Sequence, residues 1–337
     1  MHQRPSPVAA VLGAGSWGTA LAMLLARNGA QIRLWDRDPQ HIAALCRQRS
    51  NERYLPGISF PARLTPVADL GEALADCDAV LVAVPSAGFR SVLSRFTEMC
   101  GGGIDLVWAT KGLEPCTGRF LHEVAAQELP HDTPRALLSG PSFASEVARG
   151  LPTAVTVASA DSAYAQRIAN LFHCPEFRTY TCDDVIGVEL GGAVKNVLAI
   201  AAGISDGLGY GSNARAALIT RGLAETMRLG LRLDGRQETF MGLAGVGDLV
   251  LTCTDDQSRN RRLGLALGQG KPLAEAVAQI GQAVEGLDTA QVLDALARSK
   301  CVEMPITEQV KRVLCDGEAP ATAVQTLLKR DPRPEGV

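Results

Sequence analysis

Residues 8–28 constrain the chain more than any other segment. The apolar run Val8–Leu12 is followed by Gly13-Ala-Gly15-Ser-Trp-Gly18, and then by a helical pattern through Asn28. A bare GxGxxG is weak evidence, because glycines also punctuate ordinary turns. Here it has a strand before it and a helix after it, the context a dinucleotide site requires. Gly13 permits the tight turn, Gly15 lets the backbone approach a pyrophosphate, and Gly18 lets helix pack on strand. The helix N-terminus then offers N–H groups and a positive dipole end to phosphates. A second strand, Ile32–Trp35, ends in Asp36-Arg37, 18 and 19 residues after Gly18. Asp36 suits a ribose 2′-hydroxyl and Arg37 a 2′-phosphate, so both NAD and NADP are compatible with these residues.

The rest of the first half repeats the same rhythm. Short Val- and Ile-rich runs recur at Ala79–Val84, Ile104–Ala109, Ala136–Leu138 and Ala154–Ala158, with helical patterns such as Pro39–Gln48 and Gly88–Thr97 between them. Apolar strands alternating with helices read as a mostly parallel, doubly wound α/β sheet covered on both faces. After about residue 184 the strand signal stops. Helical patterns take over at Gly187–Ser205, Ala214–Leu231, Leu273–Gln279, Thr289–Lys300 and Pro305–Cys315. The expected organisation is therefore a Rossmann-type domain over 1–184 and an all-α domain over 185–337, with a frayed tail after Arg330.

Composition excludes several functions. With 46% hydrophobic and 20% charged residues, the chain is not disordered, and a net charge of −3 gives no basic field for nucleic acid. Pro5–Ala26 carries no charge and mimics a signal peptide or membrane span. Its prolines, glycines and hydroxyl residues interrupt it, so no membrane span is expected and a cytoplasmic location is. Nine Cys without a CxxC spell neither a zinc knuckle nor a redox dithiol. Cys77, Cys253 and Cys315 read as small buried hydrophobes, and no clustered metal site is visible.

The basic residues are 27 Arg against 6 Lys, and only two Lys, at 111 and 195, precede residue 271. Arg stays protonated, whereas Lys can lose its proton when desolvated or crowded by positive charge. Lys111 follows the strand Ile104–Ala109, at the strand end where parallel sheets bind ligands. Lys195 lies mid-helix, with Gly191, Gly192, Leu198 and Ala199 on its own face. No carboxylate on that face can pair with it, and the glycines are expected to leave room for a ligand. Lys195 is thus the candidate general acid/base; an apolar face with a snorkelling amine is the bland reading.

Two further segments suit a small anionic substrate. Asp248 emerges from the glycine-rich Gly242–Gly247 and, if buried, needs a partner such as a Lys or a substrate hydroxyl. In Ser258-Arg259-Asn260-Arg261-Arg262, Ser258 reads as an N-cap, placing Arg259 in a first turn where the dipole favours anions. Arg there makes sense beside a phosphate, which it can fork. A solvated basic face explains Arg261 or Arg262 better than Arg259. Gly140-Pro141-Ser142 is another candidate substrate loop.

Taken together, GAGSWGTALA (13–22), ATKGLE (109–114), SGPSFASEV (139–147), AVKNVLAI (193–200), GLAGVGDLVLTCT (242–254), SRNRRLG (258–264) and VEG (284–286) resemble the bacterial NAD(P)-dependent sn-glycerol-3-phosphate dehydrogenase family. The motifs run in order through nearly the whole chain. The resemblance implies interconversion of dihydroxyacetone phosphate and sn-glycerol 3-phosphate for phospholipid synthesis, usually by a homodimer. It implies proton transfer at Lys195 and substrate contacts at Lys111, Gly140, Ser142, Lys195, Asp248, Ser258, Arg259 and Asn260. Cofactor contacts fall on Ser16, Trp17, Arg37, Lys111, Ala144, Arg259 and Glu285, beside Gly13, Gly15 and Gly18 of the loop. Arg37 slightly favours NADPH over NADH. The alternative is a relative of β-hydroxyacid or 6-phosphogluconate dehydrogenases, which usually space Lys and Asn as KxxxN, whereas Lys195 and Asn196 are adjacent here. A YxxxK pair is absent at 107 and 191, and the second half holds no His base.

Overall fold

The computed structural model describes residues 7–101 and 104–331, so the tail expected to fray lies almost wholly outside the described residues. Its contacts divide the chain into two compact units. The first comprises residues 1–110 and 121–185, the second 111–120 and 186–337. Lys111 and the loop after it therefore belong with the helical unit, although they follow a strand of the sheet.

The first unit holds strands β1 (Val8–Leu12), β2 (Gln31–Trp35), β3 (Ser50–Asn51), β4 (Leu55–Ser59), β5 (Leu64–Val67), β6 (Ala79–Val82), β7 (Asp105–Trp108), β8 (Arg135–Ser139), β9 (Thr153–Ala158) and β10 (Phe177–Cys182). Helices α1 (Ser16–Arg27), α2 (Pro39–Gln48), α3 (Leu70–Leu74), α4 (Ser86–Cys100), α5 (Leu121–Glu128), α6 (Ala144–Arg149) and α7 (Ser162–Phe172) lie between them. Eight strands form one sheet in the order β10-β9-β8-β7-β6-β1-β2-β5, parallel except where β8 meets β9. β3 and β4 form a separate antiparallel ribbon. β1 is fully apolar and central, flanked by β2 and β6 in parallel register.

The sheet edges were the hardest part to read from sequence. β5 contains Pro66, which ordinarily argues against a central strand, and it forms one edge. At the other edge β10 is FRTYTC, with Tyr180 53% exposed and no apolar run to betray it.

The second unit is helical: α8 (Val185–Gly207), α9 (Gly211–Arg232), α10 (Gln237–Phe240), a π-helical turn at Leu243–Gly247, α11 (Asp248–Thr254), α12 (Arg259–Gly268), α13 (Leu273–Ile280), α14 (Glu285–Ser299), α15 (Pro305–Cys315) and α16 (Pro320–Leu328). Pro305 occupies the first turn of α15, where its missing N–H costs nothing. α8 is long and apolar enough to cross a membrane, but 83% of its most apolar window is buried inside the fold. It is the axis of the helical core, with Val194, Val197, Leu198 and Ile200 fully buried. Such side chains contribute about 1.5–3 kcal/mol each by burial. α12 lies close against it because glycines face backbone: a Cβ on Gly264 would meet the Ile200 carbonyl oxygen at 2.0 Å, and one on Gly203 would meet the Arg261 carbonyl oxygen at 2.1 Å.

All nine cysteines are free. Cys253 is buried as expected from its apolar run, but Cys77 is half-buried and Cys315 exposed. Cys315 is the last residue of α15, where the helix end turns toward solvent.

Candidate active site

In the sheet unit, the glycine loop is built as its spacing requires. Gly13 has φ +115°, and a Cβ there would lie 2.7 Å from the Ala83 carbonyl oxygen. A Cβ on Gly18 would lie 1.9 Å from the Gly13 carbonyl oxygen, so helix and turn are in direct backbone contact. At Gly15 nothing lies within 4 Å, which leaves the backbone open to a ligand. α1 begins at Ser16 with no side-chain cap on its first N–H groups. The indole Nε1 of Trp17 is buried without a hydrogen-bond partner. An uncapped helix start, an open glycine and an orphaned indole fit a nucleotide pyrophosphate. Arg37, at the end of β2, is exposed.

A second loop in this unit follows β8. Gly140 has φ +143° and packs under Val155, while the Ser142 hydroxyl donates to the Gly140 carbonyl at 2.9 Å. Ala144 opens α6 one residue after the N-cap Phe143.

In the helical unit, three charged groups converge. The Lys195 ammonium donates to Asp248 Oδ1 at 2.6 Å, and Lys111 donates to Asp248 Oδ2 at 2.7 Å. Lys195 also reaches the Thr252 hydroxyl at 3.1 Å, and that hydroxyl donates back to the Asp248 carbonyl at 2.6 Å. Asp248 is 1% exposed and Lys195 9%. Burial lowers the Lys195 pKa to about 8, against Asp248, which raises it, and with Lys111, which lowers it further. Burial alone would raise the Asp248 carboxyl, but the ammoniums of Lys111 and Lys195 hold it below its ordinary value.

Lys195 therefore has a carboxylate partner, supplied by another helix rather than by its own face. Gly191 beside it does not leave room for a ligand: a Cβ there would lie 2.4 Å from the Ala244 carbonyl oxygen. The space is filled by the π-helical turn, which carries Asp248 to the lysine. Thr252 escaped the sequence reading, although its position four residues after Asp248 on α11 was available as a signal.

The loop after α11 starts α12 at a true N-cap, the Ser258 hydroxyl accepting from the Arg261 amide at 3.2 Å. Arg259 is half-buried in the first turn. Arg261 is not part of a solvated face. It is 7% exposed, donates through Nη1 to Asp206 on α8, and places Nε 2.9 Å from Asp256 as an ion pair. Asp206 also receives Arg215 Nη1 at 2.7 Å. The residue turns inward because α12 packs on α8 at this point. Arg262 is exposed, as a solvated face would have it.

The Asn260 amide bridges three segments. Its Nδ2 donates to Asn196 Oδ1 at 3.0 Å, and its Oδ1 accepts from the Gly286 amide at 2.9 Å. The bridge thus joins the residues next to Lys195, Arg259 and Glu285. Glu285 itself is half-buried at the first position of α14.

Comparison with known proteins gives consistent results along the whole chain. Residues 8–165 match the N-terminus of NAD-dependent glycerol-3-phosphate dehydrogenase, and residues 184–325 match its C-terminus. The chain is 59% identical over 329 residues to glycerol-3-phosphate dehydrogenase [NAD(P)+] of Thioalkalivibrio sulfidiphilus, covering 98% of this chain and 99% of the relative. It is 59% identical over 325 residues to the protein of the same name from Nitrosococcus oceani, covering 96% and 94%. Among solved structures it is similar to glycerol-3-phosphate dehydrogenase from Coxiella burnetii, with a TM-score of 0.94 and 51% identity over 96% of this chain and 99% of that one.

Proposed function

Because the chain belongs to the NAD-dependent glycerol-3-phosphate dehydrogenase family and interconverts dihydroxyacetone phosphate and sn-glycerol 3-phosphate with NAD(P)H, we propose that Lys195 carries the proton of that reaction. The observation that supports this most is one buried carboxylate, Asp248, shared by the buried Lys195 and the half-buried Lys111. An amine with a pKa near 8 can give and take a proton close to neutral pH, which an arginine cannot.

The reduced nicotinamide, when bound, supplies a hydride to the ketone carbon. The chain's own residues do the rest. Lys195 gives its proton to the oxygen that becomes the alcohol, and takes it back in the oxidative direction. Asp248 orients both ammoniums, and Thr252 fixes a second direction of Lys195, which leaves its third N–H to point at the substrate. Lys111 and the remaining N–H of the Asn260 amide stabilise charge on the substrate oxygens. Arg259 forks the phosphate at the N-terminus of α12, where Ser258 sets the start of the helix and the local dipole favours an anion. Gly140 and Ser142 offer a second set of polar groups to the substrate. Gripping the phosphate, which does not react, lets remote binding energy orient the carbon that does.

Gly13, Gly15, Ser16, Trp17, Gly18 and Arg37 hold the dinucleotide, with Ala144, Lys111, Arg259 and Glu285 completing its contacts. NADPH is the slightly favoured cofactor on account of Arg37. We read the enzyme as cytoplasmic, supported by nine free thiols, and as a source of glycerol phosphate for phospholipids. We read it as a homodimer, supported by the exposed Tyr210, Leu231 and Leu328 around one groove of the helical unit. Sedimentation equilibrium decides this last point: a single monomer mass would overturn it.

The activity is tested by following nicotinamide absorbance with dihydroxyacetone phosphate and either cofactor. Arg259→Ala should raise the substrate KM by about 100-fold, the worth of charge-assisted bonds to a phosphate. Unchanged kinetics would move the phosphate site elsewhere.

A further inference from the structure

One peptide of the glycine loop is held by side chains on both sides. The Ala14 amide donates to Asp36 Oδ2 at 2.9 Å. The Ala14 carbonyl accepts from Asn51 Nδ2 at 2.9 Å and lies 3.2 Å from His41 Nε2. Asn51 is completely buried, and the same Nδ2 donates to the Thr19 hydroxyl on α1 at 2.8 Å, while its Oδ1 accepts from the Tyr54 amide at 3.3 Å. Both of its amide protons and its oxygen are engaged in tying loop, helix α1 and the β3 turn together. The other oxygen of Asp36 accepts from the Asp38 amide at 3.1 Å. Both oxygens of the acidic residue at the end of β2 thus face backbone N–H groups of its own unit.

We propose that Asp36 and Asn51 are positioning residues that preset the Ala14 peptide for a nucleotide pyrophosphate, and that Asp36 does not read the adenosine ribose. The choice between NADH and NADPH then falls to the exposed Arg37. The physical reason is preorganisation: a loop fixed before binding loses less conformational freedom when the nucleotide arrives. The pyrophosphate is common to both nucleotides, so a device acting through the loop cannot tell them apart. A carboxylate reading the ribose would tell them apart, because only NADH presents a 2′-hydroxyl there. This proposal rests on the glycine loop being the nucleotide site.

The test is a fluorescence titration of NADH and NADPH against wild type, Asp36→Ala, Asp36→Asn, Asn51→Ala and Arg37→Ala, with circular dichroism confirming the fold. Asp36→Ala and Asn51→Ala should each weaken both nucleotides by about 10-fold, roughly one backbone hydrogen bond to a charged or buried partner, with their ratio within about 3-fold of wild type. Asp36→Asn keeps an acceptor for the Ala14 amide but sets its NH2 against the Asp38 amide, so it should restore part of the affinity, equally for both nucleotides. Arg37→Ala should weaken NADPH alone. Should Asn51→Ala fail to fold, the two Asp36 variants decide the question by themselves. If Asp36→Ala weakens NADH alone and tightens NADPH, Asp36 reads the ribose and the proposal is overturned. If the wild type binds neither nucleotide, the site itself is misplaced and the proposal falls with it.

Discussion

Asp248 and Glu225 are both carboxylates buried in the helical unit, yet their surroundings drive them in opposite directions. Asp248 faces two ammoniums and stays ionised below its ordinary range. Glu225, 2% exposed on α9, faces the N-terminus of α15 and accepts from the Ile306 amide at 2.8 Å and the Thr307 amide at 3.3 Å. Burial pushes its pKa up to about 7, and the two amides, with the more weakly felt charge of Arg228, pull it back only in part. Burial is common to both; two ammoniums hydrogen-bonded directly to Asp248 outweigh it, whereas neutral amides bond Glu225 and the charge of Arg228 acts on it more weakly. One carboxylate is arranged to keep lysines in place for chemistry. The other caps a helix whose own N-cap, Met304, offers no side-chain acceptor.

The contrast can be broken by substitution. Asp248→Ala removes the carboxylate and leaves the buried ammonium of Lys195 facing the half-buried one of Lys111. It should cost about 3–5 kcal/mol of stability by calorimetry, with turnover falling by at least a hundredfold. A milder change, Asp248→Asn, sharpens the comparison through pH. In wild type, ketone reduction should decline as pH rises through about 8, since Lys195 must carry its proton, and alcohol oxidation should rise over the same range. Asp248 raises the lysine's pKa, so its neutralisation should move both breaks to lower pH. An unmoved break would mean that another group titrates. The smallest effect belongs to Glu225→Gln. The folded-state pKa of Glu225 is raised above the ordinary 4.5, so its contribution is fully present below that value and is lost as pH rises through about 7. Between pH 5 and 8 wild type should lose about 2 kcal/mol that the Gln variant keeps, read as the difference in their melting curves.

How much of this was legible depends on whether a residue's partners are local. The glycine loop was, because strand, turn and helix are contiguous and each glycine has its own steric reason. The central strands β1, β6 and β7 were legible as apolar runs, and Ser258 as a cap, for the same reason. Lys195 could be picked out by its rarity and its glycines. Asp248 was picked out as needing a partner, but its pairing with Lys195 was not, because the two lie 53 positions apart and meet through a π-helical turn that no periodicity announces. Arg261 was misread because a charged face in sequence gives no sign of the Asp206 that draws it inward. Asn51 was missed altogether: a lone Asn ending a two-residue strand carries no local signal, and only the folded loop gives it a purpose.

The role of Lys195 as the proton carrier is tested most directly by one variant. Lys195→Ala, measured in single-turnover reduction of dihydroxyacetone phosphate with nucleotide saturating, should lose about 1,000-fold or more in rate. Its affinity for NADH and NADPH, titrated separately, should stay within about 3-fold of wild type, since the glycine loop is untouched. A rate within 10-fold of wild type, with folding and nucleotide binding intact, would contradict the account.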